Sequence, residues 1–231
     1  MTLQNPNQML FNPILFQGAV DFSDPHLKEQ LITYIGNKRS LLPFLNRGFE
    51  DIKKRLGKEK LVTFDGFAGS GAVSRLLKHH SEYLMANDLE KYCEIVNRCY
   101  LANRSEVDMD QIVTTIQRLN SQRINFDEQP GFIERNYAPK NDDDIQDGER
   151  VFYTNRNAKM IDTLIQLITK IPEQDRHFFL APLIVRASIH TNTSGVFKGF
   201  HKKKRHRPFR RSGRKCIITH NGRDEIGCPD F

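Results

Sequence analysis

No apolar run in this 231-residue chain approaches the roughly 18–20 residues that a helix needs to cross a bilayer. The sequence therefore predicts no membrane span. Met1 to Gln17 lacks a positively charged segment followed by an apolar one, so a secretory signal is not expected either. Cysteine is scarce. Cys93, Cys99, Cys216 and Cys228 form no Cys-x-x-Cys pair and have no matching histidine spacing. That pattern argues against a zinc site or a disulfide frame. It predicts reduced thiols, no bound metal and a cytoplasmic location. Internal repeats are missing as well, which excludes a solenoid.

What the chain has is charge, unevenly placed. The formal net charge is +7. Residues 201–231 carry ten Lys/Arg against three Asp/Glu, while the other 25 Lys/Arg are matched by 25 Asp/Glu. The basic character belongs to the tail alone. A basic tail reads as a phosphate-binding arm or as a solvated end.

Residues 1–26 read as loop. A helix is expected from near Asn37, with Leu41, Leu42, Phe44, Leu45, Phe49 and Ile52 recurring at three- and four-residue spacing and Gly57 ending it. Leu61 to Phe64 is short and β-rich, and it runs into Asp65-Gly-Phe-Ala-Gly-Ser-Gly71. A helix over 72–80, a strand over 82–86 ending at Asn87-Asp88, and a helix over 90–103 should follow. Strand, glycine turn, helix, strand, acidic residue, helix is the opening of a doubly wound α/β sheet. Further helices are expected over 107–124, 157–171 and 178–189, with an exposed polar loop over 127–150.

The glycine turn carries the chemistry. Residues without side chains let backbone N–H groups and a helix N-terminus approach a ligand closely. Gly69 and Gly71 stand at such a helix entry. The plain alternative is a tight turn that only packs a helix on a sheet. A ligand there could be a dinucleotide or a nucleoside. The third glycine of a Gly-x-Gly-x-x-Gly fingerprint is absent, which favours S-adenosylmethionine. Asp88, 17 residues after Gly71, is suited to accept hydrogen bonds from ribose hydroxyls.

With these residues in hand, the chain resembles the Dam-like (alpha-type) adenine-specific DNA methyltransferases over about residues 30–204. Asp65 to Gly71 resembles their first motif, Tyr34-Ile-Gly-Asn-Lys38 their N-terminal cofactor motif, and Asn87-Asp88 their acidic second motif. Thr191-Asn-Thr-Ser-Gly-Val-Phe-Lys-Gly-Phe200 resembles the stretch between target recognition and the catalytic loop. The resemblance implies a partial class I S-adenosylmethionine-dependent methyltransferase (Rossmann-like) core with a helical target-recognition insertion. Residues 27–106 would be the cofactor half, 107–200 the recognition region and 201–231 a basic tail. It further implies that Tyr34, Gly36, Asn37, Lys38, Asp65, Phe67, Gly69, Gly71 and Asp88 surround S-adenosyl-L-methionine. Arg186, His190, Asn192, Thr193, Ser194 and Lys198 would be candidates for contacting double-stranded DNA. For these six the alternative is a solvated polar loop.

Methylating an adenine amino group is demanding, because its nitrogen lone pair is delocalised into the ring. The family meets this with Asp/Asn-Pro-Pro-aromatic, whose acceptors hold the amino hydrogens and whose ring stacks on the flipped base. The chain contains no such motif, so no catalytic residue is assigned and a C-terminal truncation is expected. After Lys204 the periodicity vanishes. Arg205 to Phe231 can be encoded by codons whose +1 frame reads as a glycine turn followed by an amphipathic run. The tail 201–231 is therefore expected to be out of frame, the alternatives being a genuine basic arm or another form of truncation. The resemblance implies N6-adenine methylation of DNA, with a restriction endonuclease of the same system as a partner. The alternatives are a non-catalytic module that binds cofactor, DNA or both, and an NAD(P)-binding domain.

Overall fold

The computed structural model describes residues 9–11, 20–32, 36–126, 129–193 and 199–200. Tyr34, Ser194, Lys198 and the tail 201–231 lie outside the described residues. The described residues fall into two compact units, one through Met109 and one from Asp110.

The first unit is built on a three-stranded sheet. Strands β2 (Leu61–Asp65) and β3 (Ser81–Ala86) pair in parallel, with Thr63 opposite Leu84 and Asp65 opposite Ala86. Helix α3 (Ala72–His80) connects them. Strand β1 (Met9–Phe11) pairs antiparallel with the other edge of β3, giving the order β1-β3-β2. This is a mixed α/β arrangement with a small parallel pair. Helix α1 (Pro25–Lys28) starts with Asp24 accepting from the His26 N–H, and proline sits at its first position. Strand β1 and the first two residues of α1 fall within residues 1–26, expected as loop. The strand exists only because β3 offers it a ladder, and that partner lies about seventy-five residues on.

Helix α2 (Leu42–Leu56) ends at Gly57, whose left-handed φ of 61° lets its N–H reach the carbonyls of Lys53 and Lys54. Its expected start near Asn37 is corrected. The Asn37 side chain accepts from the Arg39 N–H at 2.8 Å, and a 3₁₀ turn at Arg39–Leu41 precedes the helix. Leu76 of α3 is fully buried against Leu27 and Leu42, with Phe49 and Val73 packed beside them. Leu77, Leu84, Ala86, Leu101 and Ala68 form the adjoining cluster. Truncating one such leucine to alanine costs about 2–5 kcal/mol. Val62 and Phe64 point to the other face of β2 and are exposed. Helix α4 (Lys91–Tyr100) follows β3 and buries Cys93, Val96, Asn97 and Cys99.

The second unit is helical. Helix α5 (Met109–Gln122) buries Ile112, Ile116 and Leu119. Helix α7 (Asn155–Thr169) is capped by the Thr154 hydroxyl, which accepts from the Asn157 N–H at 3.1 Å. Helix α8 (His177–Ile189) is mostly apolar and contains Pro182. The stretch 127–150, expected as loop throughout, contains helix α6 (Phe132–Tyr137). Its cap comes from elsewhere in the chain. Asp162 on α7 accepts from the N–H groups of Ile133 at 3.0 Å and Glu134 at 2.9 Å. Gly131 makes room for it, since a Cβ there would lie 2.2 Å from the Asp162 Cγ. No helix among the described residues is long and apolar enough to cross a membrane.

Candidate functional site

The glycine turn sits at the C-terminal end of β2, and hydrogen bonds tie it to the end of β3. The Asn87 N–H donates to the Asp65 carbonyl at 2.8 Å, and the Ala68 N–H donates to the Asn87 carbonyl at 2.9 Å. These bonds carry the contact between the two chain segments past the last paired residues. The Asn87 amide also donates to the Gly66 carbonyl at 3.2 Å. Asp88 then reaches across. Its Oδ2 accepts from the Gly69 N–H at 2.8 Å, and its Oδ1 accepts from the Glu90 N–H at 3.0 Å.

The turn closes with the Gly71 N–H donating to the Ala68 carbonyl at 2.8 Å. Gly69 and Gly71 have φ of 53° and 76°, the left-handed region that glycine enters without strain. Helix α3 makes its first bond from the Arg75 N–H to the Gly71 carbonyl, so Ala72 to Ser74 have no intrahelical acceptor for their amides. Ser74 stands where a dinucleotide fingerprint would have its third glycine. Its hydroxyl donates to Asp65 Oδ2 at 2.6 Å, which holds the carboxylate against the helix. Phe67 and Leu89 flank the turn at 95% and 94% exposure, and the core makes no use of either.

Two buried polar residues that the sequence reading missed support this turn. Arg75 is 2% exposed, and its guanidinium donates only to backbone carbonyls, those of His26, Glu29 (3.3 Å) and Gly71 (3.4 Å). Burial pulls its pKa down to about 10, so it stays a cation at neutral pH. Asn97 donates through Nδ2 to the carbonyls of Gly69 at 3.1 Å and Cys93 at 2.9 Å. The sequence signal for each was a polar residue at a core position of an amphipathic helix. Beside them the Cys93 thiol is buried, and burial, with the Asp88 carboxylate nearby, pushes its pKa up to about 12.

Gly36, Asn37 and Lys38 form a turn of their own. Gly36 has φ of 79°, and the Lys38 ammonium donates back to the Gly36 carbonyl at 2.7 Å. Arg39 fastens this turn to α1 by donating to the Lys28 carbonyl at 3.1 Å. The Arg75 guanidinium fastens the same α1 segment to Gly71. The upstream motif and the glycine turn are thus joined through α1, by Arg39 on one side and the buried Arg75 on the other.

The DNA candidates lie in the second unit. Arg186 is half-buried near the C-terminal end of α8, and the His190 N–H closes that helix on the Arg186 carbonyl. Asn192 is committed to the fold. Its N–H donates to the Phe152 carbonyl at 2.7 Å and its side-chain amide to the Val151 carbonyl at 2.9 Å. Thr193 bridges to Phe200, whose ring packs edge-on to Phe152 at 4.9 Å. Among the described residues no group of His, Cys, Asp and Glu could hold a metal ion.

Residues 34–223 match the family model described as D12 class N6 adenine-specific DNA methyltransferase. The type II methyltransferase M.CviAII of Paramecium bursaria Chlorella virus 1 is 28% identical over 179 residues, covering 74% of this chain and 50% of that protein. The type II methyltransferase M.NlaIII of Neisseria lactamica is also 28% identical over 179 residues, covering 74% of this chain and 49% of that protein. The chain therefore spans about half the length of these curated relatives. No solved structure matches it.

Proposed function

The chain belongs to the D12 class N6 adenine-specific DNA methyltransferase family, and from that premise we propose that it is the cofactor-binding and target-recognition portion of an enzyme that methylates adenine in DNA. The reading takes the first unit as the beginning of a class I, Rossmann-like core. The second unit is the recognition insertion. The protein works in the cytoplasm on double-stranded DNA, beside a restriction endonuclease of the same system.

The single observation that carries the cofactor assignment is the bond from the Gly69 N–H to Asp88 Oδ2. It fixes a carboxylate beside the glycine turn and uses up an amide that a pyrophosphate would need. A ligand with ribose hydroxyls and a positive charge, but no phosphate, suits that environment. S-adenosylmethionine has both, and when bound it supplies a methyl group on a sulfonium. Asp88 would accept from the ribose hydroxyls with the lone pairs left over from Gly69 and Glu90. The exposed Phe67 ring offers an apolar surface to the ligand, and Asp65, held by Ser74, adds negative charge. Gly36, Asn37, Lys38 and Tyr34 would complete the pocket. The DNA contacts would come from Arg186, His190, Thr193, Ser194 and Lys198, with Asn192 shaping the segment that carries them.

One specific observation favours a second reading. The chain has no Asp/Asn-Pro-Pro-aromatic motif, so binding without methyl transfer is the natural behaviour of these 231 residues alone. Calorimetric titration with S-adenosylmethionine and with NAD tests the site. Binding of the first, weakened at least about tenfold by Phe67→Ala with little change in unfolding temperature, and by Asp88→Ala, which also releases the Gly69 N–H, is the expected result. Preference for NAD would refute it. A parallel assay of labelled methyl transfer to duplex DNA separates the enzyme from the binding module.

A further inference from the structure

Asn97 is 2% exposed on a helix face otherwise made by Cys93, Val96 and Cys99. Both hydrogens of its Nδ2 are used, by the Gly69 and Cys93 carbonyls. That settles which end of the amide is nitrogen. Its Oδ1 is buried with no hydrogen-bond donor. The atom in front of Oδ1 is the Gly71 α-carbon. A Cβ built on Gly71 would lie 2.3 Å from Oδ1 and 3.3 Å from Cγ. In glycine that direction holds a hydrogen, so the contact is a weak Cα–H···O approach. A buried acceptor left in this state is an expensive choice for a core position where an apolar residue would serve.

We infer that Asn97 is the positioning residue of the cofactor turn, an assignment that rests on the function proposed above. Gly69 is gripped at both ends. Asp88 Oδ2 takes its N–H, and Asn97 Nδ2 takes its C=O. Because the peptide is planar and trans, pinning the Gly69 carbonyl toward α4 aims the Ser70 N–H away from α4. The two bonds fix the left-handed φ of 53° at Gly69. They also fix where the Asp88 carboxylate stands relative to the turn. The same carboxamide, seated against Gly71, restricts that position to glycine by volume as well as by its φ of 76°. Removing Asn97 releases the Gly69 carbonyl, and the Asp88 geometry loosens with it.

The test uses the full chain and four variants: Asn97→Ala, Asn97→Asp, Gly71→Ala and the Asn97→Ala/Gly71→Ala pair. Val96→Ala, a neighbouring core truncation, is the control for simple loss of stability. In thermal unfolding, Gly71→Ala should lower the midpoint less in the Asn97→Ala background than in the wild type, because the clash is gone and only the backbone strain remains. Additive effects would overturn the contact. In titrations of S-adenosylmethionine below the unfolding range, Asn97→Ala should weaken binding by roughly tenfold or more, as expected when a binding group is misplaced. Val96→Ala should leave the affinity unchanged. Equal affinities for Asn97→Ala and Val96→Ala would overturn the positioning role. Should Asn97→Ala not fold, Asn97→Asp carries the binding comparison, since it keeps the volume and loses the donor. A wild type that binds neither S-adenosylmethionine nor S-adenosylhomocysteine sinks the functional reading on which the positioning role depends. The unfolding cycle would still decide the Asn97–Gly71 contact.

Discussion

Replacing Arg75 with methionine should loosen the first unit where its upstream segment meets the glycine turn. Methionine keeps the unbranched stem and removes the cation with its donors. The Gly71 carbonyl keeps its bond from the Arg75 backbone N–H at 2.9 Å. The carbonyls of His26 and Glu29 lose the guanidinium. An orphaned buried acceptor costs about 1–3 kcal/mol, and that cost falls on the His26 carbonyl, since Glu29 is an exposed residue whose carbonyl can turn to water. Part is offset, because the variant no longer buries a charge. Water that reaches a displaced α1 recovers a further part. A net loss of about 1–2 kcal/mol follows. Arg75→Lys keeps the charge but not the planar fork that spans several acceptors, so it should fall between methionine and the wild type. Urea unfolding followed by circular dichroism measures the midpoint. Limited trypsin digestion reports whether cleavage after Lys28 accelerates, as it should if α1 has come off. A methionine variant within about 0.5 kcal/mol of the wild type, with unchanged cleavage at Lys28, would refute the account of Arg75 as the joint between α1 and the glycine turn.

The remaining predictions concern acid and thiol chemistry. His80 is 1% exposed, and burial, with Lys53 nearby, holds its pKa down to about 4, while burial also drives His26 well below its ordinary 6.5. An unfolded chain therefore binds protons between pH 6.5 and 4 that the folded chain refuses. Stability should fall as pH drops through that window, by at most about 1.4 kcal/mol per pH unit for each histidine. His80→Gln should flatten the slope, and an unchanged slope would contradict the assignment. Cys93, with a pKa pushed up to about 12, should stay unalkylated by iodoacetamide at pH 8 in the native protein and react in urea. Peptide mapping by mass spectrometry checks this, and stoichiometric native alkylation would count against the buried environment.

Much of the local structure was legible in the amino-acid sequence, because each feature depends on residues close together in the chain. Gly57 stops α2 through a left-handed φ that glycine reaches without strain. Leu61 to Asp65, the glycine turn and the stripe of α3 follow one another with periods that local geometry dictates. Asp88 lies at the end of the next strand for the same reason. The strand–turn–helix–strand order, and the segment that carries the cofactor candidates, could therefore be located without coordinates.

The tertiary structure alone decided which polar groups satisfy one another. Strand β1 needs β3, and α6 needs the Asp162 carboxylate from 28 and 29 residues on. Arg75 stands at a core position of α3, and it is tolerated there because carbonyls 46 and 49 residues upstream accept its hydrogens. Asn97, placed among cysteines and a valine, takes its meaning from the Gly69 carbonyl 28 residues earlier. Asn192 looks like a ligand contact in sequence and is held by the backbone of Val151 and Phe152. Spacing along a chain encodes periodicity and turn geometry. It does not encode where a buried donor finds its acceptor, because that depends on chain segments brought together only by folding.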